Sequence, residues 1–284
     1  MTLEPLLVGL VLLSAVIHAV WNAMVKASGD RLLSVTCLMT PPALMGLAIA
    51  IWAPLPPLAV IPFLLFSGLS YSLHYAALLA AYRHGDLSQA YPIARGSGPL
   101  FVALLSAPVA GEFLSPLAWL GILAICGGIL ALALRRRGVG APLRGITYAL
   151  LVGLTIAAYS FSDALGARLP QDPFSYIGWM LMVQLMPLLT ATLVARRRLI
   201  APFLKRNGWR SLLGGTLAGF GYAVVVWAYS QGTIAPIAAL RETSVIFAAV
   251  IGTLLLGEPF GRWRVAAAAM VAAGIVLLNL EAVF

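Results

Sequence analysis

Apolar runs of about eighteen residues or more recur along this chain from one end to the other, and each is long enough to cross the hydrocarbon core of a bilayer as one helix. They read as ten spans, over residues 4–26, 32–52, 59–83, 88–110, 115–134, 145–167, 174–195, 211–231, 235–256 and 264–283. Turn-forming clusters separate them: Ser28, Gly29 and Asp30; Pro54 to Pro57; His84, Gly85 and Asp86; Pro170 to Pro173; Gln231, Gly232 and Thr233. With 62% apolar and 10% charged residues, a soluble fold of 284 residues would show one continuous apolar surface. In a bilayer that surface is the normal exterior. The first run lacks a basic start and is followed by further spans, so a cleavable signal peptide is not expected. Cys37 and Cys126 both lie in apolar runs and give no disulfide framework. The expected fold class is therefore an all-α integral membrane protein with ten transmembrane helices. The stretch from Arg196 to Arg210 mixes cations with Leu199, Ile200, Phe203, Leu204 and Trp209, the pattern of a short amphipathic interfacial segment.

The chain repeats itself. Tyr75 to Tyr82 resembles Tyr222 to Tyr229, Gly85 matches Gly232, Arg95 matches Arg241, Gly111 and Glu112 match Gly257 and Glu258, and Gly128 matches Gly274. The offset is about 146 residues and carries five spans, which divides the chain into repeats 1–137 and 138–284 within one transmembrane domain. After an odd number of crossings the second copy starts from the opposite side, so the two five-helix repeats are inverted. Secondary transporters with that architecture place substrate at the repeat interface near the midplane. Lys and Arg gather in the odd-numbered connections, as in Arg135, Arg136 and Arg137, whereas the even side has only Arg168 and the termini none. The positive-inside rule then puts the odd loops in the cytoplasm and both termini outside. The same clustering at span ends accounts for the net charge of +9, and no basic stripe suggests nucleic acid as a partner.

Polar residues within spans mark candidate sites, because they face the protein interior or a water-filled cavity. Ser14, His18, Asn22 and Lys26 recur every four residues on the first span, with Trp21 beside them. The third span carries Tyr71, His74, Tyr75 and Tyr82, and its repeat mate carries Tyr222, Trp227 and Tyr229. Tyr82 and Tyr229 fit an interfacial belt; the deeper tyrosines fit a pocket that stacks against a flat apolar substrate. Gly215 and Gly219 form a small-residue face suited to close packing. Arg95 and Arg241 stand out, since a mid-span Arg costs about 2.5–3.5 kcal/mol on insertion scales. Two readings stay open: a guanidinium fork for a substrate carboxylate, or a structural cation that satisfies loosened carbonyls or pairs with a buried acid such as Asp163. Glu242, beside Arg241, is open in the same way. Tyr159 and Asp163 in the sixth span, with Thr155 and Ser162, and Trp179 and Gln184 in the seventh complete the candidate lining. Glu112 and Glu258 end their spans and are expected to fix helix ends. His18, His74 and His84 are too scattered for a metal motif, Gly96-Ser97-Gly98 has no preceding strand for a phosphate loop, and neither cofactor, metal nor enzymatic activity is expected.

Ten short spans, a five-plus-five inverted repeat and Gly-Glu closing the fourth span of each half resemble the drug/metabolite transporter superfamily, of the EamA type, along the whole chain. Within it the chain is similar to the bacterial aromatic amino acid exporters of the YddG type. The resemblance implies a multi-pass protein of the bacterial inner membrane that exports aromatic and other amino acids or related small metabolites by alternating access. A broad-specificity metabolite or drug uniporter is the alternative, and a membrane-embedded enzyme a more distant one. It also implies that a small-molecule substrate and the bilayer are the partners and that one copy suffices. The four-helix drug exporters of the superfamily carry a carboxylate in the middle of the first span; Ser14, His18 and Asn22 stand in that region here, so simple carboxylate antiport is not carried over.

Overall fold

A computed structural model describes residues 4–25, 30–84, 87–132, 143–248, 250 and 262–280. Among these, the chain forms helices α1 (Pro5–Val25), α2 (Arg31–Trp52), α3 (Ile61–His84), α4 (Leu87–Leu105), α5 (Pro116–Ala131), α6 (Leu143–Arg168), α7 (Pro173–Arg196), α8 (Ile200–Gln231), α9 (Ile234–Glu242) and α10 (Arg262–Leu280). The stretches Leu32–Trp52, Leu58–His84, Ala90–Ala110, Leu143–Arg168 and Pro173–Gln231 are long and apolar enough to cross a bilayer, and Pro5–Trp21, Pro116–Ala131 and Val265–Leu280 are shorter apolar helices. The protein is thus a multi-pass, all-helical membrane protein. The ninth expected span is seen over 234–248 and at 250, and Lys26, Gly85, Asp86, Arg135 to Arg137, Gly257 and Glu258 lie outside the described residues.

The helices start where the sequence supplies a cap. Asp30 accepts from the amides of Leu32 and Leu33, and Asp172 from that of Phe174, each meeting an orphan donor of a first turn. The basic connection after α7 is one 3₁₀ turn, and the helix that follows runs unbroken for 32 residues. At 1.5 Å per residue α8 is about 48 Å long, against a hydrocarbon core of about 30 Å. Residues 200–210 are therefore an extension of α8 and not a separate interfacial helix.

Packing relies on backbones approaching closely. In lipid no hydrophobic drive brings helices together, so small residues at the crossing supply dispersion contacts instead. α2 crosses α7 at Gly46 and Gly178, where a Cβ on Gly46 would lie 2.5 Å from the Gly178 carbonyl oxygen and one on Gly178 would lie 3.0 Å from the Gly46 oxygen. α5 crosses α10 at Gly121 and Gly274, with a Gly274 Cβ 2.6 Å from the Gly121 oxygen, and again where Gly128 abuts the Ala267 carbonyl at 2.8 Å. Prolines add a second device, because a helical Pro frees the carbonyl four residues earlier. Pro42 in α2 frees the carbonyl of Leu38, against which Gly215 of α8 packs. Pro187 in α7 frees that of Val183, which would sit 3.4 Å from a Cβ on Gly68 of α3. α6 lies against α3 and α4, and α8 against α1 and α2.

Gly111 adopts φ 67° after a π-helical turn over 106–110, a left-handed conformation that favours glycine. The turn aims Glu112 away from its own span. Its carboxylate accepts from the Ile234 amide at the start of α9 (2.8 Å) and from Arg168 at the end of α6 (2.7 Å). Arg168 also donates to the carbonyls of Tyr229 (2.9 Å) and Gly232 (2.7 Å). Glu112 thus fixes a helix end, as expected, but the end belongs to α9. Tyr229, expected at the membrane interface, is instead wholly buried beneath this junction.

Two outcomes follow from these joints. Gly46→Val forces a side chain against the Gly178 carbonyl and is expected to cost about 1–3 kcal/mol, whereas Gly9→Val, with open space around its Cβ, leaves thermal unfolding in detergent nearly unchanged. Glu112→Gln removes the charge from bonds worth about 1.5–3 kcal/mol each, so its melting temperature falls and that of Arg168→Gln falls with it; their double variant loses less than the sum.

Candidate functional site

Two buried charge systems meet between the halves. The first joins α1, α4 and α9. Arg95 Nη1 donates to both oxygens of Glu242, at 3.1 and 2.9 Å, and Nη2 donates to His18 Nε2. The Arg95 guanidinium also lies 5.4 Å from the Tyr91 ring centroid. Glu242 is at the end of α9, where the helix is interrupted: Thr243 is a turn residue, and its hydroxyl donates to the Leu240 carbonyl at 2.6 Å before helical structure resumes over 244–248. On the α4 side, Pro99 frees the Arg95 carbonyl, and Gly98 fits against Ile156 of α6.

The second system surrounds Asp163, which is wholly buried in α6. Tyr176 donates to its Oδ1 at 2.9 Å, and Tyr222 donates to its Oδ2. Gln184 approaches Oδ2 at 3.5 Å and donates to the Ser67 hydroxyl at 3.1 Å. Between the two systems stands Arg241. Its guanidinium lies over the Tyr222 ring at 4.8 Å and near the Tyr159 ring at 5.8 Å, and it donates to the Tyr159 hydroxyl at 3.3 Å. Among the described residues no carboxylate forms an ion pair with it.

A wall of rings completes the arrangement. Tyr71 has its centroid 5.1 Å from that of Tyr159, 5.5 Å from Tyr75 and 6.0 Å from Tyr222. His74 stands edge-on to Tyr75 and Tyr159. Thr155 donates its one proton to the Val152 carbonyl, so in its 3.3 Å contact with His74 Nδ1 it is the acceptor. His18 meets Trp21 edge-on at 4.9 Å. A cavity of about 30 Å³ opens between these groups. Its wall is formed by Ser14, His18 and Trp21 of α1, Met39 and Pro42 of α2, Tyr71 of α3, Leu181 and Gln184 of α7, Ala218, Gly219, Gly221 and Tyr222 of α8, and Arg241 of α9. That volume holds a water molecule or two.

Of the residues singled out in the sequence, Ser14, His18, Trp21, Tyr71, Gln184, Gly219, Tyr222 and Arg241 line this cavity. Tyr159 touches Arg241 behind it, and His74 and Tyr75 pack on Tyr71. Trp179 is not brought in: it is 38% exposed on α7 and stands outside the cavity wall. Trp227 and Tyr82 pack against the core outside the cavity wall. The Asn22 side chain lies outside what the structure describes. Of the two readings left open for the span arginines, Arg95 meets the structural one, since it pairs with a buried acid; that acid is Glu242, whereas tyrosines and Gln184 hold Asp163. Tyr176 was missed, since one more aromatic in an apolar span carries no signal. Glu242 could have been found from the repeat, because Arg95 meets the residue next to its own repeat equivalent.

Residues 143–280 match the EamA-like transporter family. The matched stretch makes up just under half of the chain. A protein of known crystal structure shares the fold along nearly the whole chain, with a TM-score of 0.75 at 17% identity, covering 98% of this chain and 96% of that one. No curated protein sequence matches the chain.

The buried ion pair sets a clear expectation. Arg95→Gln leaves Glu242 charged and unpaired, at a cost of about 3–5 kcal/mol. Arg95→Gln with Glu242→Gln together recovers most of that loss, and a double-mutant cycle on thermal unfolding in detergent reads the coupling directly.

Proposed function

We propose that this protein is a secondary transporter that exports aromatic and other amino acids or related small metabolites across the bacterial inner membrane, with Arg241 receiving the substrate carboxylate. The carrying observation is the division of labour between the two span arginines. Arg95 is committed to Glu242 and His18, whereas Arg241 faces the cavity with no ion-pair partner among the described residues. A guanidinium in a water-poor cavity flanked by tyrosine and tryptophan rings suits a carboxylate attached to a flat apolar body.

We further propose that 1–137 and 138–284 are inverted repeats that move against each other in alternating access. Contacts exchange under the sequence offset. α3 packs on α6 as α8 packs on α1, and α2 on α8 as α7 on α3. Gly215 on the carbonyl freed by Pro42 has its counterpart in Gly68 on the carbonyl freed by Pro187. Gly274 against the Gly121 carbonyl, at 2.6 Å from its Cβ position, has its counterpart in Gly128 against that of Ala267, at 2.8 Å. The cavity is far below the roughly 300 Å³ of a ligand pocket, so an amino acid fits only when the helices part, as such movement provides.

The test is uptake of labelled tryptophan, phenylalanine and threonine into proteoliposomes, with and without a pH gradient. The expected result is saturable tryptophan and phenylalanine uptake, lowered at least about tenfold by Arg241→Gln in a variant that melts like the parent. No uptake of any amino acid removes the amino acid reading, and full uptake by Arg241→Gln removes the role of Arg241.

A further inference from the structure

The charges at the cavity wall separate two kinds of substrate that share the same body. An α-amino acid brings a carboxylate and an ammonium group, and each needs a partner once it leaves water. The wall offers Arg241 to the first. For the second, both carboxylates in the neighbourhood are already taken. Both Glu242 oxygens receive Arg95, and Glu242 does not reach the wall. Asp163 lies behind Tyr222, wholly buried, with one oxygen held by Tyr176 and the other by Tyr222 and Gln184. The remaining polar wall groups are Ser14, His18, Gln184 and the tyrosine hydroxyls, all of them neutral or basic. Tyr222 donates its proton to Asp163 and Gln184 its amide hydrogen to Ser67, so what they offer an ammonium group is a neutral oxygen acceptor each.

Ring faces also attract an ammonium group; Arg241 covers that of Tyr222, which leaves Trp21 and Tyr71 on the wall. Arg241 itself repels a second cation in the same small space. An ammonium group entering the cavity therefore gives up its water for neutral acceptors beside a buried guanidinium.

We infer that the preferred substrate class of this site is an aromatic carboxylate without an α-ammonium group, such as an aryl-alkanoate or a 2-oxo acid, ahead of the corresponding amino acid. The inference rests on the transporter reading above and narrows it to the related metabolites that reading includes. Asp163 then acts as a positioning residue: it holds Tyr222 by its hydroxyl so that the ring supports Arg241.

Three probes with one benzyl body isolate the charges: 3-phenylpropanoate, phenylalanine and 2-phenylethylamine. Their binding to the full-length protein in detergent is measured by calorimetry, and each is used as a competitor of uptake in proteoliposomes. The expected order is 3-phenylpropanoate tightest, phenylalanine at least about tenfold weaker, and 2-phenylethylamine weakest. Arg241→Gln erases the advantage of 3-phenylpropanoate. Asp163→Asn, which keeps the shape but weakens the hold on Tyr222, reduces the advantage while leaving the order of the other two unchanged. Phenylalanine binding as tightly as 3-phenylpropanoate, or the amine binding tightest, overturns the inference and leaves the transporter reading standing. Failure of all three to bind or to compete removes both.

Discussion

A charge inside a bilayer must be answered within the protein, and this molecule answers its most expensive one with the bond between Arg95 and Glu242. The pair links α4 to the broken end of α9, so the two halves of the chain meet through it. Breaking it would strand an acid that is 1% exposed. The break in the helix at Thr243 comes directly after this carboxylate. His18, receiving the other end of Arg95, ties α1 to the same point. With Arg95 and Glu242 satisfying each other, Arg241 is the cation left at the cavity wall.

Around that centre the packing is governed by the lack of a hydrophobic drive between helices in lipid. Glycines at Gly46, Gly178, Gly121 and Gly274 let backbones touch, and the carbonyls freed by Pro42 and Pro187 meet glycines of neighbouring helices. Such joints hold by shape and by weak dipolar contact, and they resist small lateral changes less than interlocked large side chains would. The Glu112–Arg168 junction does the opposite work at one membrane face, binding the ends of α4, α6 and α8 to the start of α9 through charge and main-chain bonds.

The tyrosine wall shows how a side chain's role is set by its partners. Tyr222 and Tyr229 lie on one helix, two turns apart, and both read as aromatic residues of an apolar span. Tyr222 is bound at its hydroxyl by Asp163 and covered on its face by Arg241, which makes it part of the charge system. Tyr229 is buried under the Arg168 junction, where its carbonyl accepts from Arg168 Nε. Trp179, with the same indole ring as Trp21, is 38% exposed and stands outside the cavity wall that Trp21 helps to form.

The sequence by itself determined that this chain lives in a membrane, that its helices are separated by turns such as those at Asp30 and Asp172, and that Arg95 and Arg241 need an explanation. These are consequences of local properties: the length of an apolar run, the chemistry of a turn, the cost of one charge in hydrocarbon. Only the tertiary structure decided which arginine is spoken for. That choice depends on Glu242 crossing from the other half of the chain to Arg95, and on Tyr176, Tyr222 and Gln184 enclosing Asp163 so that it answers neither arginine directly. Helical periodicity gives the face on which a residue sits, as it did for Ser14 and His18. It does not say which neighbour lies opposite that face, and in an apolar span nearly every neighbour has the same hydropathy. Position among the helices, and not residue type, therefore separates the arginine that holds the fold from the one that meets the cavity.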